Sequence, residues 1–321
     1  MLGLYDETRV SEEKGVARME GNRAFAACHP AVLLLYFLLM MAFAVCLMHP
    51  ACLGISLGCA LGCAVLFRGW RAVGRSLLWI APASLLAAGI NPLFVHQGVT
   101  VVGKLPWGAP LTKESLLYGL AAGALLGAVL LWSLCWSAAF TADQFGYLLG
   151  RLTPALALVL SMTLSFLPRL RRQVDQTRLA QRALLGDRAA KDGKTRLRRS
   201  TALLSVLVTW SLEGSIETSQ AMCSRGYGLP GRTSYAAYRL YRRDKGLLLW
   251  LALSGAAMVG GWAAGCLKFI YYPAVSGTWG RATGGLLALQ LVLSLTPLLL
   301  EGWEALQWKR RNSPVKWSKP L

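Results

Sequence analysis

Residues 154–184 read PALALVLSMTLSFLPRLRRQVDQTRLAQRAL, and the change of character halfway along decides the fold. Pro154 to Leu167 carries no charge and offers Leu156, Leu158, Val159, Leu160, Met162 and Leu164 to lipid or protein. Past Leu167-Pro168 come Arg169, Arg171, Arg172, Arg178 and Arg182. Leu167, Leu170, Val174, Thr177 and Leu184 still mark a partial apolar stripe at helical spacing. Thr153 can cap a helix, and Pro154 suits its first position because the missing N–H would have no partner there. The stretch therefore reads as one long helix that begins apolar and ends as an amphipathic rod in the membrane interface, its arginines toward water or phosphate.

The residues downstream repeat the design. Gly186 to Lys194 is a polar linker, and a second helix is expected from about Arg196 to Ser224. Leu203 to Leu212 is apolar nearly all round and includes Trp210, whereas Glu213, Glu217, Ser219 and Gln220 make the second half polar. The helix stops at Gly226, and Gly228, Pro230 and Gly231 prevent its continuation. Arg225 then sits at the negative end of the helix dipole, where its planar guanidinium suits a carboxylate on a partner; simple capping and solvation is the plainer alternative. Between Arg151 and Lys245 there are eighteen Lys or Arg against six Asp or Glu.

Working outward, six apolar segments flank this block: Ala31 to Met48, Ala51 to Phe67, Ser76 to Ile90, Ser115 to Ala139, Leu247 to Leu267 and Gly285 to Leu300. The third and sixth are short and can extend to Phe94 and Trp303. Arg68, Arg71 and Arg75 place the second turn in the cytoplasm, and the positive-inside rule then puts the basic block and both termini there too. The turn at His49-Pro50, the loop Asn91 to Glu114 and the loop Tyr271 to Arg281 are expected outside. The fold class is an all-α polytopic membrane protein with about six transmembrane helices and long interfacial helices inserted between the fourth and fifth. Its parts are a leader over 1–27, spans one to four over 28–149, the inserted region over 150–245, spans five and six over 246–303, and a basic tail over 304–321.

Composition agrees. The 321 residues are 55% hydrophobic and 15% charged, against about a quarter charged in soluble domains. The net charge is 34 − 15 = +19, which next to apolar spans points to cytoplasmic loops and anionic lipid rather than nucleic acid. The first thirty residues mix Asp6, Glu7, Glu12, Glu13 and Glu20 with a few basics and read as a mobile cytoplasmic leader, without a cleavable signal peptide. Eight cysteines lie mostly in apolar runs, without a CxxC pair or nearby histidines at ligand spacing, so they read as packing residues and no metal or cofactor is expected.

Glycines recur at four-residue spacing: Gly54, Gly58 and Gly62 in the second segment, Gly119, Gly123 and Gly127 in the fourth, Gly261 and Gly265 in the fifth. Such faces either let helices pack closely within the bundle or give a smooth surface to another membrane protein. Signatures of chemistry are missing. Gly193-Lys194-Thr195 resembles the end of a phosphate-binding loop, but Arg188 stands where the earlier glycine belongs. No HExxH or GxSxG occurs. Glu213 and Glu217 stand one turn apart; a catalytic pair is one reading and a solvated or partner-facing strip the other. The spans are expected to lack the charged or polar groups near mid-membrane that a self-contained secondary transporter or channel needs.

The run Ile216 to Tyr227, IETSQAMCSRGY, resembles the end of the second coupling helix in the transmembrane T component of energy-coupling factor (ECF) importers. Glu217, Ala221, Met222, Arg225 and Gly226 match that pattern, and Ser224 replaces its usual Ala. Phe166-Leu167-Pro168 through Ala180-Gln181-Arg182-Ala183 resembles the approach to the first coupling motif, after which Leu184-Leu185-Gly186 departs from the Arg-Gly of the family. His29-Pro30 and Asn91-Pro92-Leu93-Phe94 agree as well, so the likeness covers roughly residues 28–303. The resemblance implies a non-enzymatic subunit of the cell membrane. Two cytoplasmic ATP-binding-cassette ATPases would dock at Ser224, Arg225, Gly226, Glu217, Arg182 and Ala183. A separate membrane-embedded S component would hold the cargo, a vitamin or a transition-metal ion.

Overall fold

In a computed structural model, residues 25, 28–95, 98–104, 110–185, 193–230, 238, 240–273 and 275–311 are described. The leader over 1–27 apart from Phe25, the linker 186–192, His96 and the tail from 312 onward lie outside the described residues. The chain divides into two compact units: Met1–Thr141 with Tyr238–Leu321, and Ala142–Ala237.

The first unit is a helical bundle. Its helices are α1 (Pro30–Cys46), α2 (Pro50–Arg68), α3 (Trp70–Phe94), α4 (Lys113–Ala139), α8 (Arg242–Ala263) and α9 (Arg281–Arg311); α5 to α7 belong to the second unit. Five of these six are long and apolar enough to cross a membrane: α2, α3, α4, α8 and α9 over Arg281–Trp303. Helix α1 is apolar but has 17 residues, about 26 Å of helix against a hydrocarbon core of about 30 Å. The chain is thus a multi-pass helical membrane protein. Helix α3 runs continuously to Phe94 through Pro82 and Pro92, and α9 continues past Trp303.

Helices α1 and α2 both open on His-Pro. Proline at the first position has no N–H to leave unsatisfied. Gly69, at φ +80°, joins α2 to α3 without an intervening loop. The sequence reading of an all-α fold passes over two small antiparallel hairpins. Strands β1 (Val101–Lys104) and β2 (Pro110–Thr112) pair Val101 with Thr112, and β3 (Phe269–Ile270) and β4 (Ser276–Gly277) pair Phe269 with Gly277. The first hairpin is tied to the start of α4. Glu114 accepts from the Thr100 N–H at 3.4 Å, and the Ser115 hydroxyl donates to the Val95 carbonyl at 2.7 Å.

The core is aromatic. Phe25, Tyr36, Phe37, Phe67 and Trp132 are fully buried; Tyr36 meets Phe37 edge-on at 5.3 Å and Trp132 at 5.9 Å. Edge-to-face contact of this kind adds to the burial of ring area. Polar groups in the spans are more numerous than the sequence reading expects, because small hydroxyls and one amide disappear in long apolar runs. The Trp132 indole donates to Ser56 at 3.0 Å, the Gln290 amide to the Cys52 carbonyl at 3.2 Å, and the Tyr36 hydroxyl to the Ser294 carbonyl at 3.1 Å. Pro297, one turn beyond, cannot continue the backbone ladder of α9, and such a break loosens the carbonyls of the preceding turn. The polar groups therefore cross-link helices. The thiols of Cys63 and Cys135 likewise meet backbone carbonyls, those of Ser294 and Ala60.

The glycine faces differ from one another. A Cβ on Gly123 would fall 2.6 Å from the Ser84 carbonyl oxygen, one on Gly127 would be 3.0 Å from the Ser84 hydroxyl, and one on Gly119 would strike the Ala88 carbonyl. Helices α3 and α4 are therefore in backbone contact along this face. Gly54 and Gly58 border open space, and Gly62 lies 3.7 Å from the Leu298 side chain. Gly261 abuts Leu286, whereas Gly265 lies past the end of α8 at φ +76° and shares no helix face with it. Gly123→Val is expected to destabilise the bundle by about 1–3 kcal/mol through overpacking, while Gly58→Val stays within about 0.5 kcal/mol. Thermal unfolding of the two variants in detergent measures the contrast.

Candidate functional site

The second unit holds α5 (Ala142–Leu152), α6 (Pro154–Leu185) and α7 (Gly193–Ser224). Helix α5 was not foreseen from the sequence. Its eleven residues combine Phe145, Tyr147, Leu148, Leu149 and Leu152 with Asp143, Gln144 and Arg151, a strongly amphipathic set that a search for long apolar runs misses. It packs on α6, where a Cβ on Gly150 would lie 3.2 Å from the Ala157 methyl. The Thr153 N–H bonds back to Leu149, and the Ala157 N–H bonds to the Thr153 carbonyl at 3.2 Å, so α6 starts as α5 ends. Both long helices have 32 residues, and α6 continues through Pro168. Gly193-Lys194-Thr195 opens α7 as its first turn.

Helices α6 and α7 meet where Phe166 stacks on Trp210, with ring centroids 5.7 Å apart and planes at 22°. Leu207, one turn before Trp210, is buried; most other large apolar side chains of the pair are exposed, among them Leu156, Val159, Leu204, Leu212 and Ile216. A cleft of about 840 Å³ opens beside the stack, lined by Leu158 to Arg169 of α6 and by Trp210 to Tyr227 at the end of α7. The first half of α6 thus faces the second half of α7, and the two C-termini run apart from the stack. Arg182 lies about 24 Å along α6 from Phe166, and Arg225 about 22 Å along α7 from Trp210, at 1.5 Å per residue.

The hydroxyls of α7 serve the helix itself. Ser211, Ser215 and Thr218 donate to the carbonyls of Leu207, Ser211 and Gly214 at 2.6–2.7 Å. The charged groups on the cleft are Arg169, Glu213 and Glu217. Among the described residues the two glutamates form no ion pair with Arg169, and both are exposed.

The end of α7 has a definite geometry. The Gly226 N–H bonds to the Cys223 carbonyl and the Tyr227 N–H to the Met222 carbonyl, both at 3.0 Å, with Gly226 at φ +79°. This is a Schellman closure, in which glycine supplies the left-handed conformation that other residues adopt at a cost. The Ser224 hydroxyl donates to Ala221 at 3.0 Å. Arg225 is the last residue before the reversal, and its side chain stands exposed with those of Ser224 and Glu217. Arg182 and Ala183 are exposed near the end of α6, so the six coupling positions fall on two separate helix ends. The Arg-Gly order has a plain cause: glycine fixes the end, and the residue before it is left at the tip. Among the described residues no three His, Cys, Asp or Glu gather to hold a metal, and all eight cysteines are free thiols.

A bundle of helices long and apolar enough to cross a membrane, and a second unit dominated by two long helices, define a polytopic helical membrane protein. The chain is similar to the energy-coupling factor transporter transmembrane protein EcfT of Exiguobacterium sibiricum, 36% identical over 108 residues. The match covers 33% of this chain and 41% of that protein, so the chain spans about two-fifths of the length of the curated relative it matches. No protein-family model matches the chain.

Gly226→Ala forces a Cβ into the left-handed position and is expected to cost about 1 kcal/mol at the end of α7. Faster amide exchange over residues 222–229, with the rest of α7 unchanged, measures it.

Proposed function

We propose that this chain is the transmembrane coupling subunit of an ECF importer. It transmits the ATP-driven movement of two cytoplasmic ATP-binding-cassette ATPases to a membrane-embedded S component that carries a vitamin or a transition-metal ion. The observation that carries the reading is the end of α7, where a glycine closure presents Arg225 exposed at the tip of a 32-residue rod. The similarity to EcfT supports it.

The proposed roles are these. Arg225, flanked by Ser224 and Gly226, enters a carboxylate-lined socket on one ATPase, and its five donors in a fixed fork suit that contact. Glu217, two turns back, meets a basic group on the same partner. Arg182 and Ala183 bring α6 to the other ATPase, in place of the Arg-Gly that this helix lacks. Because the two ends run apart from the stack, each rod can engage its own ATPase. The subunit itself carries no chemistry, and Glu213 and Glu217 form a partner-facing strip. Arg68, Arg71 and Arg75 between α2 and α3 mark the cytoplasmic face, with both termini on that side of the cell membrane. The inserted region 150–245 forms the coupling domain between spans 28–149 and 246–303. Of the glycine faces, Gly119, Gly123 and Gly127 serve helix packing, as does Gly62 against Leu298, and Gly54 and Gly58 offer the open surface to the S component.

A self-contained secondary transporter is the competing reading, and the polar groups in the bundle give it little support. Those of Tyr36, Ser56 and Trp132 are engaged in bonds between helices. Purified alone, the chain is expected to show neither ATP hydrolysis nor specific solute binding, and co-expressed with its ATPases it is expected to co-purify with them. Arg225→Glu reverses the charge at the docking point and is expected to reduce that co-purification at least tenfold, since a contact of this type typically contributes 2 kcal/mol or more, about thirtyfold, while membrane insertion is unchanged. Undiminished ATPase association and uptake in the variant would rule out the docking role of this helix end.

A further inference from the structure

His49 fills the turn between α1 and α2. Its setting matches that of His29, but its side chain does something different. The His29 Nδ1 accepts from the Ala31 N–H at 3.2 Å and caps α1, whereas His49 makes no such bond to α2. The His49 side chain is fully buried, and neither Nδ1 nor Nε2 has a hydrogen-bond partner. A neutral imidazole carries one donor and one acceptor, and buried polar atoms without partners are few in folded proteins.

Aromatic rings surround it. Phe269 of β3 meets the imidazole edge-on at 5.4 Å, and Trp279, just past β4, does so at 5.1 Å. Trp279 is itself 70% exposed, so the cover over His49 is one ring thick on that side. The hairpin is fastened to the same turn by the Tyr271 hydroxyl, which donates to the Met48 carbonyl at 2.7 Å. Thr278, just past its far strand, donates to the Cys266 carbonyl at 2.9 Å, and Thr283 of α9 donates to the same carbonyl at 2.8 Å, which ties the base of the hairpin to α9. The ring thus lies between the α1–α2 turn and the β3–β4 hairpin, and among the described residues no carbonyl or carboxylate hydrogen-bonds to it.

Protonation turns the imidazole into a cation with two donors. Neither Phe269 nor Trp279 offers a lone pair, so the charged ring requires water, and water reaches it when the aromatic cover moves aside. We propose that the β3–β4 hairpin and Trp279 form a proton-operated lid, closed over neutral His49 and opened when His49 takes up a proton. This reading is independent of the coupling role of α6 and α7.

Burial lowers the pKa of His49 from its ordinary 6.5. The closed lid therefore favours the neutral ring: its stability is full above about pH 6.5 and declines as the pH falls below that value. The ionisable groups on the elements around it are Cys52 of α2, Tyr118 of α4, Lys268, Tyr271 and Tyr272 beside the hairpin, and Arg281 at the start of α9. Burial pushes Tyr271 up to about 12, so it stays neutral across this range. Burial alone accounts for the shift of His49, and no neighbouring charge adds to it. The lid lies at the opposite end of α2 from Arg68, so it answers to the pH on the side away from the basic α2–α3 turn.

The test uses the full chain in lipid nanodiscs. With three histidines in the sequence, histidine-labelled protein gives few resonances, and His49 is assigned by its loss in His49→Phe. The expected midpoint for His49 lies below 6.5. Hydrogen exchange of peptide 266–280, identical in both proteins, is expected to be equal at pH 7.5 and severalfold faster in the wild type at pH 5, where the protonated ring favours the open form. A midpoint at or above 6.5, meaning that the rings hold the cation, overturns the proposal. So does an exchange ratio that stays near one at pH 5. If His49→Phe does not accumulate, His29→Gln and His96→Gln assign the other two resonances, and the titration of the remaining one in the wild type decides.

Discussion

Two helices of 32 residues meet face to face at one stacked aromatic pair, Phe166 on Trp210. Such a contact holds a crossing but not a register along the whole length of the rods. Helix α7 is stiff on its own account: its backbone ladder is internal and its hydroxyls bond to carbonyls one turn back rather than to α6, while α6 continues through Pro168 at the loss of one ladder bond. A displacement at one helix end is therefore carried along the rod, while the angle between rods depends on a small contact. Together, stiff arms and a small pivot are what a mechanical transmitter needs.

The membrane bundle is built on the opposite principle. Helices α3 and α4 are in backbone contact through Gly119, Gly123 and Gly127, and buried polar groups tie α1, α2, α4 and α9 together. In a bilayer the hydrophobic effect does not drive helices together, so close backbone approach and interhelical hydrogen bonds do that work. The fixed part of the molecule is the one with many small, specific contacts. The part with few contacts carries the exposed arginines.

Much of this was legible in the sequence, for definable reasons. Runs of apolar residues locate spans because charges are excluded from hydrocarbon, and Gly226 marks the end of α7 because a left-handed cap needs glycine. The resemblance at Glu217, Arg225 and Gly226 to the T component of ECF importers agrees with the similarity to EcfT. What stayed hidden has physical causes too. Helix α5 is short and amphipathic, so it carries no long apolar run, and Pro154 just beyond it reads only as the start of α6. Gln290, Ser56 and Ser294 are isolated polar residues whose partners come from distant segments. The difference between Gly54 and Gly123 cannot be read from identical spacing, because it depends on which neighbouring helix faces each one. The divergence of the two helix ends follows from Phe166 pairing with Trp210, a contact between residues that sequence alone does not match up.

The central claim is that α6 and α7 move relative to one another when the motor turns over. Spin labels at Leu184→Cys and at the native, exposed Cys223, in a chain with Cys46→Ser, report the distance between the two ends by pulsed EPR. In the complex with its ATPases, trapping ATP is predicted to shift that distance by on the order of 5 Å, about one helical turn, and to leave it unchanged in the chain alone. An identical distance with and without trapped nucleotide in the complex would contradict the account.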